Sequence, residues 1–347
     1  MIKLVKPGFV VGKEKRFYDF IKNLGPEKIA LISHVTDLDG VVSASVVNKV
    51  VSANVVKFVN YNELDEKLVK ELKEGKFAKV IFTDLMIKNP VFIREIEKFA
   101  EILIIDHHPA EFDYNSDKTV FINAKGYCAA YLCYYLFSKT QNLEKFDWLV
   151  ACASISDYCY FRNRRWMKEI FEKYGDEFVI IRKMARERGV FWDLTENLNL
   201  AIVYFKPNAE RVMRSIGNEF RNIGDLENFS NAVRGELFVI EKKFDMEKLN
   251  FNDGFFFEFE CVFPIKSLLI NKISRKYSDK TIIIGEKKGD YYSFSSRRQD
   301  GKIDLNLLVR KLIEGFENGT AGGHPKAAAG DFPVKYLEEF KKRLKEI

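Results

Sequence analysis

The sequence predicts an α/β protein with an N-terminal parallel-sheet domain, a helical connecting segment and a smaller C-terminal α/β domain. Two observations carry this prediction. Within residues 1–125, short apolar runs rich in β-branched residues alternate with stretches of crossover-helix length, which is typical of βαβ units and a parallel sheet. From residue 254 onward a second pattern of strands and helices begins.

Five strands and two buried helices are predicted in the first domain. The strands are expected at 28–34, 54–60, 78–84, 101–107 and 119–124. Crossover helices fill the intervals between the first four strands, and the second of them ends at Gly75, a residue type at which helices often stop. The two buried helices are expected in CAAYLCYYLFSKT (128–140) and KFDWLVACASISDYCY (145–160).

The chain of 347 residues is long enough for two domains that each bury an apolar core. We place the first domain at 1–160, the connecting segment at 161–250 and the second domain at 251–347. Within the connecting segment, RKMARERG (182–189) is predicted as a charged helix face. The second domain is predicted to contain a strand, a helix, a hairpin, a second helix and a glycine-rich turn at 319–332.

Composition narrows the class of protein. With 47% hydrophobic and 31% charged residues, the chain has the composition of a soluble globular protein. It shows no signal-peptide pattern and no run of the roughly 18 apolar residues that a membrane span needs, so we expect a cytoplasmic protein. Its 5 cysteines form no CxxC pair and are expected as reduced core residues. The net charge of +6 suits a polyanionic partner, although a solvated basic surface explains it equally well.

Ionisable residues follow several of the predicted strands. They are His34, Asp37 and Asp39 after the first, Asp84 at the end of the third, and Asp106, His107 and His108 at the end of the fourth. Asp157 lies near the end of the second buried helix. Open parallel sheets bind ligands at the carboxyl ends of their strands, so we expect these groups to converge. A single aspartate there could simply cap a helix, but a whole cluster of carboxylates would repel unless cations offset the charge.

Divalent metals fit such a cluster. Mixed carboxylate and imidazole ligands suit Mn²⁺, and the ligands are numerous enough for two ions about 3.5–4 Å apart. Two ions would lower the pKa of a water and stabilise charge at phosphorus, which implies hydrolysis of a phosphoester or phosphoanhydride. The chain has no GxxxxGK[ST] loop and no GxGxxG after its first strand, which disfavours an NTPase or a dinucleotide-dependent oxidoreductase.

Six motifs carry a family resemblance. SHVTDLDG (33–40), FTDL (82–85), IDHHP (105–109) and SISDY (154–158) resemble, in order, the four motifs of the DHH phosphoesterase family. SFSSRR (293–298) and AGGHPKAAAG (321–330) resemble its DHH-associated C-terminal substrate domain. The resemblance runs from about residue 28 to the end of the sequence, and it implies an active site in the cleft between the two domains.

The resemblance implies roles for individual residues. It implies that two Mn²⁺ ions, with Mg²⁺ or Co²⁺ as substitutes, are held by Asp37, Asp39, Asp84, His107 and Asp157, with Asp84 bridging both. His34 is a further candidate ligand, but it stands one residue nearer the first aspartate than in many relatives, so its direct ligation is left open. Asp106 and His108 would orient the site or contact the phosphate. The substrate's phosphate and terminal nucleotide would be bound by Ser295, Arg297 or its neighbour Arg298, Gly322, Gly323 and His324.

The implied function is Mn²⁺-dependent hydrolysis of short oligonucleotides or single-stranded nucleic-acid ends, as in RecJ-like exonucleases and nanoRNases. Two alternatives stay open: a phosphodiesterase for cyclic dinucleotides or other small phosphorylated nucleotides, and a non-catalytic nucleic-acid-binding or replication-accessory protein. RNRRWMKEIFEK (162–173) is predicted as a solvated helix start with Trp166 in the core, the alternative being a basic path for a nucleic-acid strand. The oligomeric state is open, and a homodimer is one option.

Overall fold

The computed structural model describes residues 2–181, 184–185 and 187–346. The chain divides into two compact units, Met1–Ser230 and Asn231–Ile347. The segment 161–250 is therefore shared between the units: its first 70 positions, 161–230, belong to unit 1 and the rest belong to unit 2.

Unit 1 is built on the predicted parallel sheet. Its strands are β1 (Ile29–His34), β2 (Val55–Val59), β3 (Lys79–Thr83), β4 (Glu101–Asp106) and β5 (Thr119–Asn123), in the order β2-β1-β3-β4-β5 with every pair parallel. The helices of the unit are α1 (Glu14–Lys22), α2 (Leu38–Val51), α3 (Glu66–Glu74), α4 (Pro90–Glu97), α5 (Ala129–Phe137), α6 (Asp147–Ser156), α7 (Arg164–Lys173), α8 (Val190–Phe205) and α9 (Ala209–Ser215). All five predicted strands are confirmed.

The strand order places the carboxyl ends of β1 and β3 side by side. Beginning at β1, the chain moves first to the neighbour on one side, β2, and then to the neighbour on the other, β3. A reversal of this kind leaves a crevice at the carboxyl ends of the two strands, which is where open α/β sheets bind ligands.

Both faces of the sheet are buried. Leu31, Ile81 and Leu103 belong to an apolar cluster with residues of α1, α2 and α5 to α9, whereas Ile32 and Phe82 belong to a second cluster with α3 and α4. Burial on both sides explains why the strands are nearly continuous apolar runs.

The helices after residue 160 complete the first of these clusters. Trp166 in α7 is fully buried, as predicted, and the ring of Phe171 stacks on Phe191 of α8 with centroids 4.2 Å apart. Between α7 and α8, β6 (Ile180–Ile181) pairs antiparallel with β7 (Met184–Ala185). The charged helix face predicted at 182–189, for which a phosphate-backbone contact was the alternative, is therefore wrong as a helix at 184–185, and its residues Arg182, Lys183 and Arg186 lie outside the described residues.

Unit 2 contains a mixed six-stranded sheet and three further helices. The chain enters it within α10 (Leu226–Glu247). The strands are β8 (Leu249–Phe251), β9 (Gly254–Glu258), β10 (Thr281–Lys288), β11 (Tyr291–Arg297), β12 (Thr320–His324) and β13 (Ala327–Pro333), in the order β12-β13-β11-β10-β9-β8. The helices are α11 (Lys266–Lys276), α12 (Leu305–Leu312) and α13 (Leu337–Lys345). The predicted hairpin is β10 with β11, which pair antiparallel.

The glycine-rich segment differs from its prediction. It forms two paired strands, β12 and β13, rather than an extended turn, and only Pro325 and Lys326 connect them. Glycine is compatible with strand β12 because this strand lies at the edge of the sheet, and Gly323 has a φ of 149°, a value that side chains rarely allow. Among the helices that the structure describes, none is long and apolar enough to cross a membrane.

Candidate metal centre

Strand ends and helix ends of unit 1 position the predicted metal ligands. His34 ends β1, and Asp37 caps α2 by accepting the backbone N–H of Gly40 at 3.1 Å. Asp84 follows β3 with a φ of 56°, an uncommon backbone conformation for a residue other than glycine. Its own N–H donates to the carbonyl of Ile105 at 3.1 Å, which holds this turn against β4.

His34 lies against two of the aspartates. Its Nδ1 atom is 3.0 Å from Asp37 Oδ2 and 3.6 Å from Asp84 Oδ2. Burial alone would lower the pKa of His34, but the interactions with Asp37 and Asp84 raise it to about 10. In the metal-free protein the two carboxylates thus favour the charged form of the imidazole.

His107 lies among three carboxylates, one of which, Asp84, also lies beside His34. Its Nε2 atom is 3.3 Å from Asp84 Oδ1, 3.5 Å from Asp157 Oδ2 and 3.7 Å from Asp39 Oδ2. Asp157 reaches this position from the C-terminal end of α6. The structure therefore brings ligands from two strand ends and two helices to one place, as the sequence predicts for a metal site.

Asp106 and His108 form a pair beside this group. Asp106 is buried, and its Oδ1 atom is 2.8 Å from Nδ1 of His108. This hydrogen bond fixes the orientation of the His108 ring and leaves Nε2 for another partner. The geometry agrees with an orienting role for Asp106.

The electrostatics of the cluster favour a bound cation. Burial raises the pKa of both Asp84 and Asp39 well above the ordinary value, and a neighbouring carboxylate adds to each shift, Asp37 for the first and Asp84 for the second. Asp84 Oδ2 is buried and accepts no hydrogen bond from any described residue, since His34 Nδ1 at 3.6 Å is too far. A buried carboxylate oxygen without a partner is a suitable ligand for a divalent metal.

Three groups of residues offer ligand atoms that all lie within 4.8 Å of one another. They are His34, Asp37 and Asp84; Asp84, Asp106, His107 and His108; and His107, Asp157 and Cys159. Asp84 is common to the first two groups and His107 to the last two. This sharing is the arrangement that two neighbouring ions with a bridging carboxylate require.

Asp39 has a structural role that its motif did not predict. Its Oδ2 and Oδ1 atoms accept the backbone N–H groups of Ala129 and Ala130, each at 2.7 Å, at the start of α5. Each carboxylate oxygen can accept a second bond, so ligation of a metal by Asp39 stays a prediction.

Two residues of the site were missed. Tyr61 follows β2, and its ring stacks on His34 with centroids 4.6 Å apart while its hydroxyl lies 3.3 Å from His108 Nε2. Cys159, expected as a core residue, is half-buried, and its thiol donates to Asp157 Oδ2 at 3.1 Å. Burial raises the pKa of Cys159, so it stays a thiol without a metal. The position of Tyr61 at a strand end was the available signal for the first residue.

The predicted substrate residues of unit 2 lie in two rows across its sheet. Arg297 on β11, Ala327 on β13 and His324 on β12 are consecutive partners in register, and Ser295, Ala329 and Gly322 form the next such row. Directly paired residues of antiparallel strands share a face of the sheet. The pairing register therefore places Arg297, His324, Ser295 and Gly322 on one face. Gly323 lies between the rows, and its N–H donates to Asn306 Oδ1 at 3.1 Å.

Arg297 and Arg298 differ in what they contact. Arg297 is partly exposed and donates from Nε to Asn271 Oδ1 at 3.1 Å. Arg298 is only 3% exposed and pairs with Asp253 at 2.5 Å and Asp300 at 2.6 Å. The alternative that Arg298 binds substrate is therefore wrong, because its guanidinium is used within the unit.

A parallel sheet with carboxylates and imidazoles at its carboxyl edge, followed by a mixed-sheet unit, is the architecture of a class of metal-dependent phosphoesterases. Two matches give the family within that class. Residues 28–155 match the DHH family, N-terminal domain, and residues 266–347 match the DHHA1 domain. The chain therefore contains a DHH-family N-terminal domain and a DHHA1 domain, which confirms the resemblance.

Solved structures share the fold at low sequence identity. Exonuclease RecJ bound to manganese is 15% identical with a TM-score of 0.72, covering 100% of this chain and 96% of that one. CDC45 from Entamoeba histolytica is 10% identical with a TM-score of 0.63, covering 96% and 98%. The pGpG-specific phosphodiesterase PggH from Vibrio is 13% identical with a TM-score of 0.52, covering 92% and 98%. A search of curated protein sequences gives no match.

Proposed function

We propose that the protein is a phosphodiesterase that uses two Mn²⁺ ions to hydrolyse short oligonucleotides or the ends of single-stranded nucleic acids. The observation that carries the proposal is the position of Asp84, a buried carboxylate common to two ligand groups, with one oxygen that accepts no hydrogen bond from the described residues. A cytoplasmic location and a homodimer remain predictions.

The residues present fit a pair of divalent ions. His34, Asp37 and Asp84 would hold one, and His107, Asp157 and Asp84 would hold the other, with Asp39 as an additional ligand. Bound there, the ions would supply a water of lowered pKa and stabilise negative charge on the phosphate. Manganese is our choice because the ligands mix carboxylate oxygen and imidazole nitrogen, and RecJ, which shares the fold, has been solved with manganese.

His108 is the group of unit 1 that would contact the phosphate, and Tyr61 would position it. Asp106 holds the His108 ring through Nδ1, so that Nε2 is free to exchange the Tyr61 hydroxyl for a phosphate oxygen. A donor held in place before the reaction stabilises developing charge at little reorganisation cost. In unit 2, we propose that Arg297 and His324 bind a phosphate, and that the Gly322–Gly323 backbone permits its close approach, with Ser295 nearby.

Two other functions compete with this proposal. Hydrolysis of cyclic dinucleotides or other small nucleotides is supported by the fold shared with a pGpG-specific phosphodiesterase. A non-catalytic accessory role is supported by the fold shared with CDC45. The intact set of acids and imidazoles in one cluster favours an enzyme over the accessory role, because buried carboxylates with raised pKa values destabilise a protein that does not use them.

The test is hydrolysis of a substrate panel with Mn²⁺. Labelled dinucleotides, RNA and DNA strands and cyclic dinucleotides would be compared for the wild type, Asp84→Asn and the control Asp117→Asn, an exposed acid outside the cluster. We expect the wild type and the control to hydrolyse linear oligonucleotides, and Asp84→Asn to lose at least about a thousandfold of this activity, as for removal of a principal catalytic group. Activity that survives Asp84→Asn, or hydrolysis of cyclic dinucleotides alone, would contradict the proposal.

A further inference from the structure

We propose that Tyr158, Phe161 and Arg162 form a binding surface, here called the 158–162 surface, for nucleotides that adjoin the hydrolysed bond of a single strand. The inference rests on the proposed function and deepens it. It selects strands of several nucleotides over dinucleotides as the preferred substrate class.

The 158–162 surface begins at the metal centre itself. Asp157 ends α6, and Tyr158 follows with a φ of 53°, a backbone conformation that costs a side-chain-bearing residue roughly 1 kcal/mol or more. The turn is held by the bond from the Tyr158 N–H to the Ile155 carbonyl at 3.1 Å. It leaves 47% of Tyr158 exposed directly beside a predicted metal ligand.

A buried tyrosine supports the exposed rings. Tyr160 is 2% exposed, and its ring contacts those of Phe178 and Trp192 with centroids 5.7 and 6.4 Å away. The Phe161 ring lies 4.7 Å from Tyr160, yet 43% of Phe161 is exposed. An exposed aromatic ring that packs on a buried ring is suited to stacking a nucleobase.

Arg162 adds a positive charge to the surface. Its stem lies over Gly126, where a Cβ atom would come within 3.0 Å of Arg162 Cγ. Within the part of the chain that the structure describes, the Arg162 guanidinium forms no hydrogen bond or ion pair, whereas Arg165 pairs with Glu169 at 2.9 Å. An exposed guanidinium with its stem fixed is well placed to bind a phosphate of the strand.

The position of Gly126 connects Arg162 to the site. Gly126 lies in the segment between β5 and α5, three residues before Ala129, whose N–H binds Asp39. Three residues span at most about 11 Å, which limits how far Gly126 lies from the residue whose N–H binds Asp39. Tyr158 is thus adjacent in the chain to Asp157, and the stem of Arg162 packs on the segment that leads to the Asp39 contact.

The acidic cluster explains why a separate basic and aromatic surface is needed. Carboxylates repel the phosphates of a strand except where metal ions neutralise them. Nucleotides beyond the reacting phosphate must therefore bind to groups outside the cluster. The rings of Phe161 and Tyr158 and the guanidinium of Arg162 are such groups. Stacking and charge do not distinguish one base from another.

The experiment compares an octanucleotide with a dinucleotide, in RNA and DNA arms. The readout is the ratio of kcat/KM for the two lengths, measured with Mn²⁺ over a range of salt concentrations. Variants are Arg162→Gln, Phe161→Ala and Phe161→Leu, which keeps an apolar side chain but loses the ring. Arg165→Gln and Phe238→Ala are matched controls, since Arg165 already pairs with Glu169 and Phe238 is an exposed ring on α10.

We expect the ratio to fall about tenfold in Phe161→Leu and Arg162→Gln, the lower part of the range for loss of one stacked base or one charge-assisted contact. Arg162→Gln should also reduce the slope of log(kcat/KM) against log[salt] for the octanucleotide by about 0.7, the value for one phosphate of a single strand. Both controls should keep the wild-type ratio and slope.

The outcomes separate the inference from the proposed function. If the wild type hydrolyses oligonucleotides but the ratio and the slope are unchanged in both Phe161→Leu and Arg162→Gln, the 158–162 surface is refuted and the proposed function stands. If the wild type hydrolyses no oligonucleotide, the proposed function fails and the inference falls with it. An equal fall in RNA and DNA arms supports recognition through base faces and phosphates, and a fall in one arm alone shows that the sugar is recognised instead.

Discussion

The ring of Tyr61 stacks on the imidazole of His34, with their centroids 4.6 Å apart and their planes inclined by 28°. The Tyr61 hydroxyl lies 3.3 Å from Nε2 of His108. One residue at the end of β2 thus contacts histidines from the ends of β1 and β4, and it acts as a positioning residue for both.

Substitution of Tyr61 separates its two contacts. Tyr61→Phe keeps the stack on His34 but removes the hydroxyl near His108, so we expect kcat to fall about fivefold, as for one neutral hydrogen bond, with unchanged Mn²⁺ affinity. Tyr61→Ala should also weaken Mn²⁺ binding, because His34 loses its neighbour. Titration calorimetry with Mn²⁺ and steady-state kinetics measure the two effects, and equal Mn²⁺ affinity in both variants would contradict this division.

Asp84→Asn is expected to stabilise the metal-free protein. The folded state holds the pKa of Asp84 above its ordinary value, so stability is lost as pH rises from about 4 through the folded pKa. The substitution removes this loss, and at pH 7 in EDTA the variant should have the higher Tm.

Addition of metal should reverse the order of the two Tm values. Saturating Mn²⁺ should stabilise the wild type by about 2.7 kcal/mol at a hundredfold excess over Kd, and should stabilise Asp84→Asn much less. Thermal unfolding with EDTA and with Mn²⁺ measures both effects. A lower Tm of Asp84→Asn in EDTA would show that the carboxylate is not strained in the absence of metal.

Substitution of Arg297 should change KM, whereas substitution of its neighbour Arg298 should change Tm. Arg297→Gln is expected to raise KM about tenfold, by loss of a charge-assisted phosphate contact, without change in Tm. Arg298→Gln removes a buried guanidinium from its pairs with the partly exposed Asp253 and Asp300, and should lower Tm by roughly 5 °C.

The Arg298 pairs also have a pH signature. Arg298 lowers the pKa of Asp300 to about 2 and lowers that of Asp253. Their contribution to stability is present above the ordinary pKa near 4 and is lost as pH falls toward 2. Acid titrations followed by circular dichroism should therefore show a smaller loss between pH 4 and 2 in Arg298→Gln than in the wild type.

Cys159 gives the centre a preference for a softer ion. Its sulfur groups with His107 and Asp157, and thiolate ligands favour Zn²⁺ over Mn²⁺. We expect Zn²⁺ to displace Mn²⁺ and inhibit the wild type, and Cys159→Ser to need about tenfold more Zn²⁺ for the same inhibition while keeping its Mn²⁺ activity. Equal Zn²⁺ inhibition of the two proteins would exclude the sulfur as a ligand.

The sequence predicted the sheet of unit 1 and the convergence of its ionisable residues, because strand period and strand ends are local properties. Tyr61 was missed since the end of β2 has no ionisable group of ordinary ligand type, although it occupies the same edge as His34. Arg298 was placed wrongly because a pair of adjacent arginines does not say which one faces inward. The alternating burial of Tyr292, Phe294 and Ser296 on β11 continues to Arg298 and gives the answer once the register is known.

The packing of the helices after residue 160 could not be read from the sequence. Their apolar spacing predicted helices, but it does not name the surface that each one covers. Trp166 and Phe191 pack in the cluster that also contains Leu31 of the parallel sheet. The segment 182–189 was misread at 184–185, because the antiparallel pairing of Ile180 and Ile181 with Met184 and Ala185 is too short a pattern to recognise.

Asp39 belongs both to the candidate metal centre and to the contact between two helices of unit 1. Located on α2, it accepts both N–H groups that begin α5, and α2 packs on α5. A related protein without hydrolytic activity could lose Asp84 or His107 and become more stable, but loss of Asp39 would leave two buried amides without acceptors. Among the predicted ligands, Asp39 is therefore the one that an inactive relative would keep longest. Its presence alone is poor evidence of activity in a related chain.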